Sequence, residues 1–257
     1  MPQIYDSIGQ NYASKRQPDE RWARQISACL GDEPTVLNIG AGSGSYEPRD
    51  KALIALEPST KMIAQRPSGA APVIRGIAEQ LPFRNASFDT AIGILTTHHW
   101  SDPALGFREM LRVAKRQVIV TWDPAVTAEF WLIRDYLPEI AEREQNLATL
   151  ATALEHLPGA RVEPMPVPAD CTDGFLGAYW KRPEIYLLAE ARQAISGFAL
   201  LDNSLVKAAM NRLEKDLSSG RWALRNQELE GLDQLDLGYR IVSRGPSPAA
   251  QDDTESS

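Results

Sequence analysis

Between residues 35 and 44 the chain reads TVLNIGAGSG, and no other stretch constrains the fold as strongly. Val36, Leu37 and Ile39 lead straight into Gly40, Gly42 and Gly44. A short apolar run stopped by glycine reads as a buried parallel strand ending in a tight turn. Glycine at every second position lets the backbone come close to a ligand, because no Cβ intrudes and a positive φ carries no steric penalty. Open α/β sheets hold their ligands at the carboxyl ends of such strands. The spacing is G-x-G-x-G, with Ser45 where the dinucleotide fingerprint G-x-G-x-x-G places its third glycine.

Further apolar strands follow at Ala52 to Leu56, Pro72 to Gly76, Phe88 to Leu95 and Gln117 to Trp122, with helical stretches from Pro18 to Gly31, through Met62 to Pro67, and from Pro103 to Val113. Strands alternating with helices predict a doubly wound, Rossmann-like, mostly parallel seven-stranded α/β sheet. A βαβ crossover takes about a dozen residues or more. Ala52 follows Gly44 too closely for that, so the first crossover helix is expected to shrink to a turn at residues 46 to 50. Residues 125 to 157 read as mostly helical, 160 to 168 as a Pro-rich strand, 170 to 236 as helical again, and 237 to 243 as the last strand. The expected organisation is an N-terminal helical cover (1–34), a core (35–169 and 237–244), a helical lid inserted before the last strand (170–236), and a disordered tail (245–257) rich in Pro, Ser and acids.

The 257 residues carry a net charge of −7 and no Lys/Arg run longer than two, which argues against a nucleic-acid partner, since that binding rests on cations neutralising phosphates. Cys29 and Cys171 have no metal-ligand spacing, and no metal site is expected. No apolar run is long enough for a membrane span and no signal pattern opens the chain, so a cytoplasmic protein with no membrane partner is expected. Composition says nothing about oligomeric state.

The glycine loop, the Leu56-Glu57 acid, the IAEQLPF segment at 77 to 83, and the Phe88-Asp89 strand running into His98-His99-Trp100 occur in one order. Together they resemble the class I S-adenosylmethionine-dependent methyltransferases, nearest the small-molecule group with the ubiquinone/menaquinone-type C-methyltransferases. The resemblance covers residues 1 to about 124 well and the rest in outline. It implies S-adenosylmethionine as cofactor, S-adenosylhomocysteine as product, and a small, partly apolar acceptor. Gly40, Ala41, Gly42 and Gly44 would carry the cofactor, Glu57 and Pro58 its ribose, Met62, Ala78 and Glu79 its adenine, and Leu95 and Thr96 its methyl side. Asn38 departs from the pattern: the family usually has an acid there, toward the cofactor's ammonium group. Tyr12 and Arg16 are expected to compensate at the methionine end; for Arg16 a surface helix is the alternative.

Methyl transfer from a sulfonium mainly requires the nucleophile held in line, plus a general base where the acceptor must lose a proton. His99, and after it His98, are the candidate bases, although a structural histidine explains either one singly. Thr97, Trp131, Tyr136, Tyr179 and Trp180 are the candidate acceptor contacts, with an ordinary helical decoration as the alternative to a lid. Two other readings share the fold: a non-methylating S-adenosylmethionine-binding protein, suggested by Asn38, and an NAD(P)-dependent oxidoreductase, disfavoured by Ser45 and the short crossover.

Overall fold

The computed structural model describes residues 16–147 and 149–245. Tyr12 and the acid-rich tail beyond residue 245 lie outside the described residues.

The chain enters through α1 (Glu20–Ala28), whose N-cap Asp19 accepts the Arg21 N–H and whose Trp22 and Ile26, one turn apart, are buried. Next come β1 (Thr35–Ile39) and β2 (Ala52–Leu56), with turns and bends but no helix between them, as the spacing predicts. Then α2 (Thr60–Ala64), capped by Ser59, leads to the short β3 (Val73–Ile74). β4 (Phe88–Ile94) is followed by α3 (Pro103–Val113), where Asp102 caps the Leu105 N–H and Pro103 opens the first turn. β5 (Ala114–Trp122) starts at once and runs three residues longer at its amino end than its apolar core indicated. Four short helices follow: α4 (Pro124–Thr127), α5 (Trp131–Tyr136), α6 (Glu139–Glu144) and α7 (Leu150–His156). After β6 (Arg161–Pro164) and β7 (Val167–Pro168) come α8 (Ala189–Gln193), α9 (Ser196–Ala199), α10 (Asn203–Ser218) and α11 (Arg221–Arg225), then β8 (Gln234–Leu235) and β9 (Tyr239–Arg244).

Seven strands form one sheet in the order β3-β2-β1-β4-β5-β9-β6. The pairs from β3 to β5 are parallel, and β9 runs antiparallel to both β5 and β6. The central strands are buried on both faces: Val118 and Val120 enter one apolar core with Trp22 and Trp131, while Ile119 enters the other with Phe107 and Met110. This is the Rossmann-like α/β fold that the strand pattern predicts. The order reverses between β1 and β4, so the carboxyl ends of β1, β2 and β4 open on one crevice, where such sheets bind ligands.

Two expectations are corrected. The Pro-rich strand at 160 to 168 is two strands, because β6 joins the main sheet whereas β7 pairs with β8 in a separate two-stranded sheet. The segment expected to be helical from residue 170 is irregular up to 182, turning at Gly174 and Gly177, and becomes helical only from Pro183. It also contributes β8, so 170 to 236 is a mixed excursion and not a helical bundle.

Candidate active site

A cavity of about 350 Å³ opens where the carboxyl ends of β1, β2, β4 and β5 meet residues 175–176 and 195–200. Its floor is the glycine loop. The Gly40 and Ala41 N–H groups both donate to the Leu56 carbonyl, at 2.8 and 3.0 Å, which ties the loop to the end of β2. Positive φ recurs at Gly40, Gly42, Gly44 and then Tyr46. Gly40 is required twice over: its φ is +69°, and a Cβ there would overlap the Thr96 side chain, standing 2.9 Å from the Thr96 Cβ. Gly40, Ala41 and Gly42 line the cavity; Gly44 is off the wall, with Arg66 and Glu47 where its Cβ would point.

Glu57 is buried at the cavity wall, beside Pro58. Its Oε2 accepts the Gly42 N–H and its Oε1 the Ser59 N–H, each at 2.8 Å. Burial pushes its pKa up, and the Ser59 and Gly42 bonds partly offset that. A carboxylate has about four acceptor positions, so each oxygen keeps one for a pair of ligand hydroxyls. Met62, Ile77 and Ala78 line the neighbouring wall, with Ile77 47% exposed into the open space, which suits a flat apolar ring. Glu79 is on this wall too, but its Oε1 accepts the Ser101 N–H (2.6 Å), the Ser101 hydroxyl (2.8 Å) and the Asp102 N–H (3.2 Å), so it also fixes the turn into α3. Those bonds outweigh its burial and hold its pKa low.

Asn38 is also on the wall, and the acid absent at that position stands nearby: the Asn38 amide donates to Glu47 Oε1 at 3.1 Å. Glu47 belongs to the shortened crossover and is paired with Arg66 at 2.8 Å, both nearly inaccessible. The trimmed loop therefore brings in its own carboxylate behind Asn38.

Leu95 and Thr96 line the wall just after β4. Thr97, His98 and His99 form a 3-10 turn, and the turn decides what they face: both histidines line the cavity, while Thr97 is buried behind them and off the wall. The His98 and His99 rings lie 3.7 Å apart, and His98 meets the Trp122 indole edge-on at 4.8 Å. His98 Nδ1 is buried with no hydrogen-bond partner among the described residues. His99 is open to the cavity but ringed by protein, and loss of solvent lowers its pKa to about 4; burial first, and then His99, hold His98 well below its usual value. Both imidazoles are thus neutral at physiological pH.

Glu144 carries no local signal in the sequence. It lies on α6 within a charged run that reads as solvated surface, yet it lines the cavity and its Oε2 accepts the Trp122 indole N–H at 2.9 Å. Burial raises its pKa to about 7 against the lowering effect of that bond.

Arg16 reaches the wall but is engaged by Asp173, fully buried in the irregular segment, at 2.6 Å from Nε. Asp173 also accepts the Tyr46 hydroxyl and the Gly174 N–H, each at 2.8 Å. Three remote segments meet at this one carboxylate.

The expected acceptor aromatics are placed elsewhere. The Trp131 indole donates to the Trp180 carbonyl (2.9 Å), and the Trp180 indole to the Val167 carbonyl (3.0 Å). Tyr136 donates to Asp216 at 2.8 Å, and Tyr179 packs on Tyr186 with Arg182 over its ring. Indoles whose N–H groups are satisfied by buried carbonyls act as core, and none of these four residues lines the cavity. The apolar residues that do line it are instead Ile140, Leu147, Phe175, Leu176, Ile195 and Leu200, among others.

A paired-hydroxyl acceptor at Glu57, a flat apolar slot at Met62 and Ile77, and close backbone at Gly40 to Gly42 fit an adenosine-bearing ligand. Among the described residues no group of His, Cys, Asp and Glu is arranged to hold a metal, and no helix is long and apolar enough to cross a membrane.

Residues 37–121 match the family described as methyltransferase domain. The crystal structure of a candidate methyltransferase from an antibiotic biosynthesis pathway of Anabaena variabilis ATCC 29413 superposes with a TM-score of 0.84 at 32% identity, covering 90% of this chain and 99% of that one. The uncharacterized methyltransferase YcgJ of Bacillus subtilis is 30% identical over 118 residues, 42% of this chain and 43% of that protein. The chloroplastic 2-methyl-6-phytyl-1,4-hydroquinone methyltransferase of Spinacia oleracea is 28% identical over 109 residues, 38% of this chain and 32% of that protein. The match thus spans less than half the length of either curated relative. With likeness to the Anabaena protein along nearly its whole length and a cavity suited to an adenosine-bearing ligand, the chain belongs to the class I S-adenosylmethionine-dependent methyltransferases.

Proposed function

We propose that this chain transfers a methyl group from S-adenosylmethionine to a small, partly apolar acceptor held between the ends of β4 and β5 and the excursion at residues 170 to 236. The observation that carries this reading is one continuous cavity, lined both by adenosine-type groups (Glu57, Met62, Ala78) and by the apolar Phe175, Leu176, Ile195 and Leu200, with Thr96, His98 and His99 also on its wall. When bound, the cofactor supplies an electrophilic methyl group on a sulfonium sulfur. Glu57 holds the ribose, Ala78 and Glu79 the adenine edge, and the Gly40 to Gly42 backbone the methionine part. Asn38, backed by Glu47, faces the ammonium end.

The protein's work in such a reaction is positioning. Effective molarities of oriented reactants are worth about 7–11 kcal/mol, and an enclosed chamber holds the nucleophile in line while keeping water out. Apolar walls on the acceptor side favour a compound with a hydrocarbon or aromatic body. The excursion acts as a cover because its irregular first part, 170 to 182, is pinned to Arg16 and Tyr46 through Asp173.

A crystal structure with S-adenosylhomocysteine tests this directly. The expected result is adenosine between Met62 and Ile77, ribose hydroxyls on Glu57, and the sulfur facing the space beside His99. Sulfur directed away from that space, or product bound outside the cavity, would refute the proposal.

A further inference from the structure

We propose that Glu144 is the base that accepts the acceptor's proton, and that the acceptor is a small apolar hydroxyl compound of the phenol class. This rests on the methyl-transfer reading above and deepens it. Glu144 reaches the cavity from α6 and is fixed by the Trp122 indole, on which His98 packs. The carboxylate therefore lies one indole ring beyond the His98 turn, in a cavity that Ile140, Leu147 and Leu176 also line. Oε2 already accepts one bond, from Trp122, so Oε1 is the oxygen with more acceptor capacity to spare.

Charge selects the acceptor type. Arg143 lines the same chamber, and the bound cofactor adds a positive sulfonium, so two positive charges oppose the attraction of Glu144 for a cationic acceptor. An anionic acceptor would meet Glu144. A neutral hydroxyl on an apolar body avoids both penalties and gives the carboxylate a donor. In the transfer, Glu144 takes the hydroxyl proton as the oxygen lone pair closes on the methyl carbon. The carbon–sulfur bonding electrons pass to sulfur, leaving a neutral thioether, and Glu144 returns the proton to water at the cavity mouth. A base is most effective when its pKa is near the working pH. Glu144, raised to about 7, meets that condition, whereas His99 at about 4 is a weak base.

The groups facing Glu144 leave it a clear titration window. His98 and His99 are both lowered, and Tyr239 on β9 is raised by burial, first of all, and by Glu144. Arg143, Glu139 and Glu142 share its helix. On the packed helices α4 and α5, Asp123 caps the Ala125 N–H, Arg134 pairs with Asp135, and Tyr136 bonds Asp216. Glu57, the other cavity carboxylate raised by burial, stands at the glycine loop, so beside Trp122 it is Glu144 that is expected to change charge between about pH 5.5 and pH 8.5.

The test is calorimetric binding of phenol to the S-adenosylhomocysteine complex across that window, with toluene as the probe lacking a proton. A hydrogen bond to a charged group is worth about 1–1.5 kcal/mol more than to a neutral one, so phenol should bind about five- to tenfold tighter at the alkaline end. In Glu144→Gln, whose amide oxygen still accepts the Trp122 N–H, phenol affinity should be flat with pH, while toluene is insensitive to pH and to the substitution. In the wild type, the Trp122 indole ¹⁵N resonance should shift with a midpoint near pH 7 and should not do so in the variant. A pH-independent wild type, an unchanged pH dependence in Glu144→Gln, or no phenol binding at millimolar concentration overturns the proposal. Failure of S-adenosylhomocysteine to bind overturns the methyl-transfer reading itself.

Discussion

Replacing Asp173 with alanine removes a carboxylate that serves three segments at once. Its oxygens accept Arg16 Nε at 2.6 Å, Arg16 Nη2 at 3.2 Å, the Tyr46 hydroxyl at 2.8 Å and the Gly174 N–H at 2.8 Å, and the side chain has no solvent exposure. Removing one partner of a buried ion pair costs about 3–5 kcal/mol. The lower end applies here, because Arg16 is 12% exposed and gains some water in return. Against a typical stability of about 5–15 kcal/mol that is a large fraction. Taking a urea m-value of about 3 kcal/mol/M, the midpoint should fall by about 1 M or more. Tryptophan fluorescence in a urea titration reads this, since Trp22 lies 6.3 Å from Tyr46 and in the same core. Affinity for S-adenosylhomocysteine should fall as well, because Tyr46 lines the cavity and keeps only the longer bond from the Asp19 N–H, at 3.3 Å. Tyr46→Phe, which removes only the hydroxyl, should cost about 1–3 kcal/mol. A midpoint for Asp173→Ala within about 0.2 M of wild type, less than 1 kcal/mol at this m-value, would refute the claim that this carboxylate ties the segments together.

Gly40→Ala should abolish measurable cofactor binding with a smaller effect on the urea midpoint, because the new methyl meets Thr96 at the cavity floor and φ is +69°. Near-normal binding of S-adenosylhomocysteine by that variant would contradict the floor assignment. Trp180→Ala should act on folding and not on acceptor selection: the side chain is wholly buried away from the cavity, and large-to-small changes of this kind cost about 3–5 kcal/mol. A soluble variant with unchanged melting temperature and altered acceptor affinity would show that Trp180 belongs to the site after all.

The sheet and the cofactor end were legible in the sequence for a local reason. Val36, Leu37 and Ile39 before the glycines, and Phe88 to Ile94 before the histidine turn, carry strand length, burial and the turn signal within a few residues of one another. Even the absent crossover helix could be read, from the distance between Gly44 and Ala52. The acceptor end was not legible, because its determinants are contacts between distant residues. Arg16 and Asp173 are 157 residues apart: Arg16 reads as a candidate cofactor contact, and nothing local in the sequence points to Asp173 as its partner. Trp131 and Trp180 look equally like pocket or core until their indole N–H groups are seen on buried carbonyls. Glu144 has the opposite history: its charged neighbours mark it as surface, and only the fold of α6 against Trp122 turns it inward. Asn38 read as a lost acid; Glu47, nine residues on, restores a carboxylate through a loop conformation that the sequence does not show.

The central claim, that Glu57 and the glycine loop form an S-adenosylmethionine site, is tested most directly by calorimetric titration of S-adenosylhomocysteine into the wild type and Glu57→Gln at neutral pH. The glutamine can still accept a backbone N–H, but it exchanges two charge-assisted ribose contacts for weaker ones, each about 1–1.5 kcal/mol poorer. The account predicts saturable one-to-one binding by the wild type and an affinity about 30- to 150-fold lower in the variant, the two losses together amounting to about 2–3 kcal/mol. No binding by the wild type at millimolar concentration, or equal affinity in the two proteins, would contradict it.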